Sequence, residues 1–333
     1  MLYVTTRSRN DAYTAPRTIS SERGTDGGMY LPFRMSTLDR KQVMELGEKS
    51  FGQCVAETLN QFFTCRLTGW DVEFCIGRYP AKLVDVSHRV LAAQTWHNQS
   101  WDYAWAERTL ALRIGANLLP GQQPSNWLRI AIRIAFLTGI FSELIKKGIA
   151  DPAHPVDVAV PAGDFSVPMS LWYARQMGLP IANIVCGCEE DSGAWELLHQ
   201  GVVKTEGGLP ENLERLICGT LGHEEVSRYN ETCQQGGVYS LLPSDAEKLR
   251  SGMFAAVVSE ERMAGSIPSL YRTSDYILGP VTALGYGALL DYRARTGESR
   301  PAVLLAERSP VCDGAFVAQT MNISLAELKE KLK

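Results

Sequence analysis

Residues 156–186 read VDVAVPAGDFSVPMSLWYARQMGLPIANIVC, and the folding class of the chain follows from them. Val156 to Val160 is a short β-rich run, the composition of a buried strand. Met169 to Met177 is helical in pattern and closes on Gly178, a residue that ends helices at no steric cost. Ile181 to Cys186 is a second strand run. Strand, helix and strand in such short order pair in parallel through a right-handed crossover. Further along, Phe254 to Val258 and Ala302 to Ala306 read as strands, each near a helical pattern, and Ala194 to Gln200 reads as a helix. The expectation is an α/β protein with an open, mostly parallel sheet and helices on both faces.

Upstream the texture is helical. From Ser36 to Gly69 apolar residues recur near the helical turn (Leu46, Phe51, Val55, Leu59, Phe62), with Ser36 or Thr37 as the cap. Before it lie the turn-forming Gly24-Thr25-Asp26-Gly27-Gly28 and the apolar run Met29-Tyr30-Leu31-Pro32. Trp96 to Gly115 is a second helical region, with Arg108 and Arg113 off its apolar face. Residues 115–124 read as a linker. Ser125 or Asn126 then caps a helix through Leu128, Ile132, Phe136 and Ile140 that stops near Gly148.

The 333 residues are 45% hydrophobic and 21% charged, as in a globular protein with a sizeable core. A formal charge of -4 offers no basic field, so neither nucleic acid nor an anionic membrane is an expected partner. No apolar run reaches the roughly 20 residues that span a bilayer. The first residues lack the basic-then-apolar order of a secretory signal. A cytoplasmic protein is expected. Of eight cysteines only Cys186 and Cys188 lie close, without the second pair a zinc site needs, so reduced thiols and no metal are expected.

Several segments, taken in order, resemble the threonine synthases, pyridoxal-phosphate enzymes of the tryptophan-synthase β-subunit fold (fold type II). Tyr3-Val4-Thr5-Thr6-Arg7 and Thr25-Asp26-Gly27-Gly28-Met29-Tyr30-Leu31-Pro32 are like that family's N-terminal signature. Val160-Pro161-Ala162-Gly163-Asp164-Phe165 is similar to its V-P-S-G-N-F-G, and Ala174 to Pro180 to the segment after it. Pro210-Glu211-Asn212-Leu213-Glu214-Arg215-Leu216 resembles P-S-N-F-E-R-L, and Tyr276 to Tyr286 runs parallel to the approach to D-P-H-T-A. The resemblance implies the family's large domain.

The departures bear on chemistry. The family's H-G-P-T-x-A-F-K-D-F carries the lysine that forms the Schiff base. Here His97 to Ala106 puts Ala104 at that position, and no lysine occurs between Lys82 and Lys146. Without that amine there is no internal aldimine and no base returned to the substrate carbon. In the family about 100 residues, a domain's worth, separate the lysine helix from the next one, and they include the S-G-D-T-G loop. Here residues 114–124 replace that small domain. Asp164 stands for an asparagine and Ser166 for a glycine in the phosphate loop, where a carboxylate repels phosphate. Val281 stands for the histidine of D-P-H-T-A, and Glu307 near a hydroxyl that faces the pyridine nitrogen.

The expected division is 1–95, an N-terminal and largely helical segment, and 96–333, the α/β core. Trp96, Trp101, Tyr103 and Trp105 are read first as core filling or a dimer contact and second as an aromatic-lined pocket. Should the cleft be reused, His97, Asp102 and Glu307 are the acid–base candidates. Ser100, Gly163, Asp164, Phe165, Ser166 and Thr282 are the ligand-binding ones, for a small polar or anionic ligand. His223-Glu224-Glu225 and Cys312-Asp313-Gly314 are read as turns. The expected function is that of a catalytically degenerate relative acting as a binding, regulatory or assembly protein, as a homodimer or with a protein partner. No cofactor is expected. Two alternatives are a repurposed enzyme without covalent pyridoxal phosphate, and a homologue that still binds it noncovalently.

Overall fold

A computed structural model of the chain describes residues 1–332, apart from Tyr79, Gln99 and 206–208. At the N-terminus β1 (Leu2–Thr5) lies between β2 (Tyr13–Thr14) and β3 (Tyr30–Pro32) in an antiparallel sheet. The main sheet holds β4 (Lys82–Ser87), β5 (Val90–Gln94), β6 (Val156–Pro161), β7 (Ile181–Cys188), β10 (Met253–Val257) and β11 (Ala302–Ala306). A small antiparallel pair, β8 (Val202–Lys204) with β9 (Val238–Ser240), lies outside it. The order in the main sheet is β10-β7-β6-β11-β5-β4, parallel throughout except for the β4–β5 edge. The strands expected at 156–160, 181–186, 254–258 and 302–306 are all present, and their pairing is parallel as expected.

Alternation along the strands sends side chains to two separate cores. Val158 and Val160, Cys186, Ala255, Val303 and Leu305 enter the larger one. Ala159, Val185, Ala256, Ala302, Leu304 and Ala306 enter the smaller one on the other face. Strands β4 and β5 belong to this same sheet, so hydrogen bonding is continuous across position 95. The stretch before residue 96 also holds five strands besides its helices.

Two helices expected as continuous are shorter. Asp39 with Gln42 and Ser50 with Gln53 each form a capping box, starting separate helices at Arg40–Glu45 and at α1 (Phe51–Phe63). Asp39 and Ser50 are the caps, then, rather than Ser36 or Thr37. The second region starts at Tyr103, not Trp96. The Asn98 Oδ1 accepts from the backbone N–H of Ser100 (2.8 Å) and Trp101 (2.9 Å) and turns the chain before α2 (Tyr103–Arg113). The linker that follows is held by Arg108, whose guanidinium donates to the carbonyls of Leu118, Leu119 and Gln122.

The central element is α3 (Asn126–Lys146), apolar on nearly every side and buried along most of its length. Its Trp127 packs edge-to-face with Tyr3, Phe62 and Tyr173 at 5.6, 5.7 and 5.6 Å. Two further helices reach the carboxyl ends of the strands: α4 (Ser166–Gln176) after β6 and α5 (Pro280–Thr296) before β11. Glycines let α5 approach the sheet. A Cβ on Gly187 would meet the Leu284 carbonyl oxygen at 2.2 Å, and one on Gly285 would meet Val160 N at 3.0 Å.

Backbone cannot retreat as a side chain can, so Gly187→Ala is expected to cost about 3 kcal/mol, the upper end for overpacking. Gly265, helical and with nothing near its missing Cβ, is the control. Gly265→Ala is expected to add roughly 0.5–1 kcal/mol. Urea unfolding of the two variants checks both signs.

Candidate functional site

The sheet reverses its winding between β6 and β11. The chain leaves β6 for β7 on one side, and enters β6 from β5 by crossing past β11. Ligands of open α/β sheets sit outside the carboxyl ends of strands at such a point. A cavity of about 540 Å³ lies there. Pro161, Leu305 and Glu307 come from the strand ends, Arg129 and Arg133 from α3, and Tyr103, Ala104 and Glu107 from α2. Val281 and Thr282 come from the first turn of α5.

Arg133 is the keystone of this wall. Its Nε and Nη2 donate to the two carboxylate oxygens of Glu307 at 2.9 and 3.1 Å, a bidentate pair. The guanidinium lies over the Tyr103 ring, 4.5 Å from its centroid. Arg133 is only 6% exposed. Burial works against its charge, yet Glu307, Tyr103 and Glu107 outweigh it and hold the group charged well above its usual range. Its Nη1 is buried without a hydrogen-bond partner.

Glu107 is 4% exposed and sits between the two arginines, 3.8 Å from Arg129 Nε and 4.0 Å from Arg133 Nη2. Its carboxyl is pushed up, first by burial and then by Glu307, against the pull of Arg133 and Arg129. The Tyr103 hydroxyl interacts with it and is itself held protonated by burial.

Three helices begin at the cavity. Asp102 caps α2 by accepting from the Trp105 N–H at 2.9 Å. The Asp164 Oδ1 accepts from the Ser166 N–H (3.0 Å) and hydroxyl (2.5 Å) at the start of α4, and its Oδ2 lies 3.4 Å from Arg129 Nη2. Burial opposes the Asp164 charge, but the Ser166 donors and the two arginines prevail and hold the carboxyl below its usual range. No side chain caps α5.

The other residues singled out by sequence fall as follows. Asp102, Thr282 and Glu307 line the cavity, as does Ala104. Gly163 and Phe165 take positive φ values (+47° and +66°) in the loop that carries Asp164 to the amino end of α4. His97 and Ser100 are exposed in the turn before α2 and do not line the cavity. The His97 ring packs on Trp101 at 4.3 Å, and Asp102 serves as the cap of α2. Of the aromatic cluster only Tyr103 lines the cavity; the Trp101 and Trp105 rings pack tilted against each other at 5.3 Å outside it. They do not fill the cleft. His223 bonds to the Thr5 carbonyl (3.0 Å), and all eight cysteines are unpaired thiols.

Sequence reasoning missed Arg129, Arg133 and Glu107. The signal was there: two arginines at i and i+4 in a helix otherwise apolar all round are buried charges that need partners. It also missed what the resembling segments do together. The Arg215 Nε donates to the Tyr30 carbonyl at 2.9 Å, and its Nη1 donates to the side chains of Asn126 and of Asn212 (the latter at 2.5 Å). Asn212 in turn donates to the Asp164 carbonyl at 3.1 Å. Burial pushes the Arg215 guanidinium down to about 10.

Because the folded protein holds Glu107 above its ordinary value, it binds more protons there than the unfolded chain does. Stability is therefore lost as pH rises from the ordinary glutamate range through the folded value. Glu107→Gln is expected to flatten that part of the stability–pH curve, and chemical denaturation between about pH 4 and about pH 8 tests it.

No protein-family model matches the chain. In sequence it is similar to threonine synthase-like 1 of Pongo abelii, 27% identical over 183 residues. That match covers 50% of this chain and 24% of the relative, so the matched stretch is about a quarter of the relative's length. It is also similar to the threonine synthase of Pseudomonas aeruginosa, 26% identical over 199 residues, 56% of this chain and 41% of that one. In fold it superposes on the pyridoxal-phosphate-bound threonine synthase of Brucella melitensis with a TM-score of 0.81 at 17% identity, covering 100% of this chain and 94% of that one. On the yeast threonine synthase the TM-score is 0.80 at 15% identity, covering 99% and 93%. The chain is thus similar in sequence to threonine synthases over about half of its length and shares the fold of the solved ones.

Proposed function

We propose that this threonine synthase-like protein is a degenerate member of its lineage that works as a small-ligand-binding or regulatory protein, without pyridoxal-phosphate chemistry. The observation that carries this reading is the wall of the cavity. Ala104 stands on it, and no lysine lines it among the described residues. An amine is what the Schiff base requires.

The residues present do not fit pyridoxal phosphate. A phosphate cradle at the start of α4 would use the backbone N–H groups after Gly163. There the Asp164 carboxylate already accepts from the Ser166 N–H and hydroxyl, so a phosphate would displace one anion and meet its repulsion. Glu307, near where the pyridine nitrogen would lie, is committed to Arg133 through both oxygens. Residues 114–124, clamped by Arg108, stand for the family's small domain in this reading, and of them Gln123 lines the cavity.

A protein without turnover acts through what it binds, and association with a second copy or another protein belongs to the same reading. Trp70 and Phe74, 69% and 77% exposed and stacked at 5.3 Å, are the apolar surface that supports it. The protein is read as cytoplasmic; no helix among the described residues is long and apolar enough to cross a membrane.

Incubation with pyridoxal phosphate, borohydride reduction and dialysis tests the reading. No aldimine absorbance and no reduced adduct by intact mass is the expected result. An adduct that maps to a single lysine would overturn it.

A further inference from the structure

We propose that the cavity is a receptor for a small monocarboxylate, whose carboxylate lies between Arg133 and the amino end of α5 and is taken up together with a proton on Glu107. The inference rests on the reading that the cavity works without pyridoxal phosphate, and it names the ligand class of that site.

Two independent features of the one cavity wall favour an anion. The first is the Arg133 Nη1, buried and without a partner, while the opposite edge of the same guanidinium is filled by Glu307. The second is the amino end of α5. Of the three helices that start at the cavity, α2 is capped by Asp102 and α4 receives Asp164, both carboxylates of this chain. The 17-residue α5 has none, and its Thr282, 5% exposed, lines the same cavity. A planar carboxylate suits the unpaired Nη1 of a guanidinium, and the helix dipole favours it.

The charges around it set the ligand's charge and size. Glu107 faces Tyr103 on its own helix, Arg129 and Arg133 on α3, and Glu307 after β11. Asp102, Asp164 and Arg308 complete the charged groups within reach, and Arg308 is paired with Asp313 at 3.5 Å. Asp164 and Glu307 already oppose Arg129 and Arg133. A dianion such as phosphate would add two charges to a site with no spare cation. A monocarboxylate adds one, and protonation of Glu107 removes one. The volume of about 540 Å³ accommodates a molecule the size of lactate with several waters.

The proton balance is one carboxylate and one proton in, with net charge unchanged. A ligand carboxylate beside Arg133 spends part of the positive charge that favours ionised Glu107, so the bound complex holds that proton to higher pH than the free protein. Affinity is then constant below the free value of Glu107. It falls as pH rises toward the bound value, by at most about tenfold per pH unit.

Calorimetric titration of the intact protein with sodium lactate at about pH 5.5, about pH 6.5 and about pH 7.5 tests this. Affinity is expected to fall across the series, with uptake of up to one proton seen by varying the buffer's ionisation heat. Glu107→Gln is expected to bind lactate with the low-pH affinity at every pH. Thr282→Val, nearly isosteric, is expected to bind about fivefold more weakly, the loss of one hydrogen bond. Arg133→Met with Glu307→Met removes the pair together, which keeps the fold better than stranding one charge; it is expected to melt cooperatively and to lose binding. No lactate binding at any pH, an affinity independent of pH, undiminished binding by the paired variant, or phosphate bound more tightly than lactate would each overturn the proposal. Borohydride-stable pyridoxal phosphate in the same preparation would instead overturn the reading beneath it, whatever lactate does.

Discussion

A guanidinium inside a buried helix must be paired, and the geometry of this cavity follows from that requirement. The α3 helix runs through the centre of the molecule with apolar side chains on almost every face, and it carries Arg133 at 6% exposure. An unpaired charge there would cost several kcal/mol. Glu307 meets it with both oxygens, which ties the residue after β11 to the middle of α3. The Tyr103 ring lies beneath it, so the start of α2 is fixed to the same group. Glu107, one helical turn on, inherits a position between Arg129 and Arg133 and is held toward its protonated form by the burial that comes with it. The carboxyl ends of the sheet, two helices and the crevice between them are thus positioned by one side chain.

The retained and the altered residues sort by location. Those that resemble the threonine synthases converge on Arg215, which binds the Tyr30 carbonyl, Asn126 and Asn212, with Asn212 reaching the Asp164 loop. This knot joins the N-terminal sheet, α3, the 210–216 segment and the loop after β6, and it is architecture rather than chemistry. The altered positions Ala104, Asp164, Val281 and Glu307 are on or beside the cavity wall. The first set thus holds the fold together, and the second lies where a ligand of an open α/β sheet would sit.

The sheet was legible because its strands are short apolar runs bounded by turn residues, and β6, α4 and β7 follow one another as a crossover unit. The N-terminal strands and β4–β5 were not. β1 to β3 are brief and mixed in composition, and β4 alternates Lys82, Val84 and Ser87 among half-exposed positions at a sheet edge, a pattern with no strong period. Helix starts were misplaced where side-chain caps override hydrophobic spacing, as at Asp39, Ser50 and Asp102. Of the residues on or beside the cavity, the resemblance had singled out Ala104, Asp164, Ser166, Thr282 and Glu307. His97 and Ser100 were suggested by neighbourhood alone, and they do not line the cavity. The arginines and Glu107 were readable only by asking where charges in an apolar helix find partners, which needs the third dimension.

A crystal structure grown in lactate at mildly acid pH tests the account most directly. It predicts a carboxylate against Arg133 Nη1 and the first turn of α5, with the Arg133–Glu307 pair intact and Asp164 still on Ser166. An anion seated instead on the Gly163–Ser166 loop with Asp164 displaced, or an Arg133 turned away from Glu307, would contradict it.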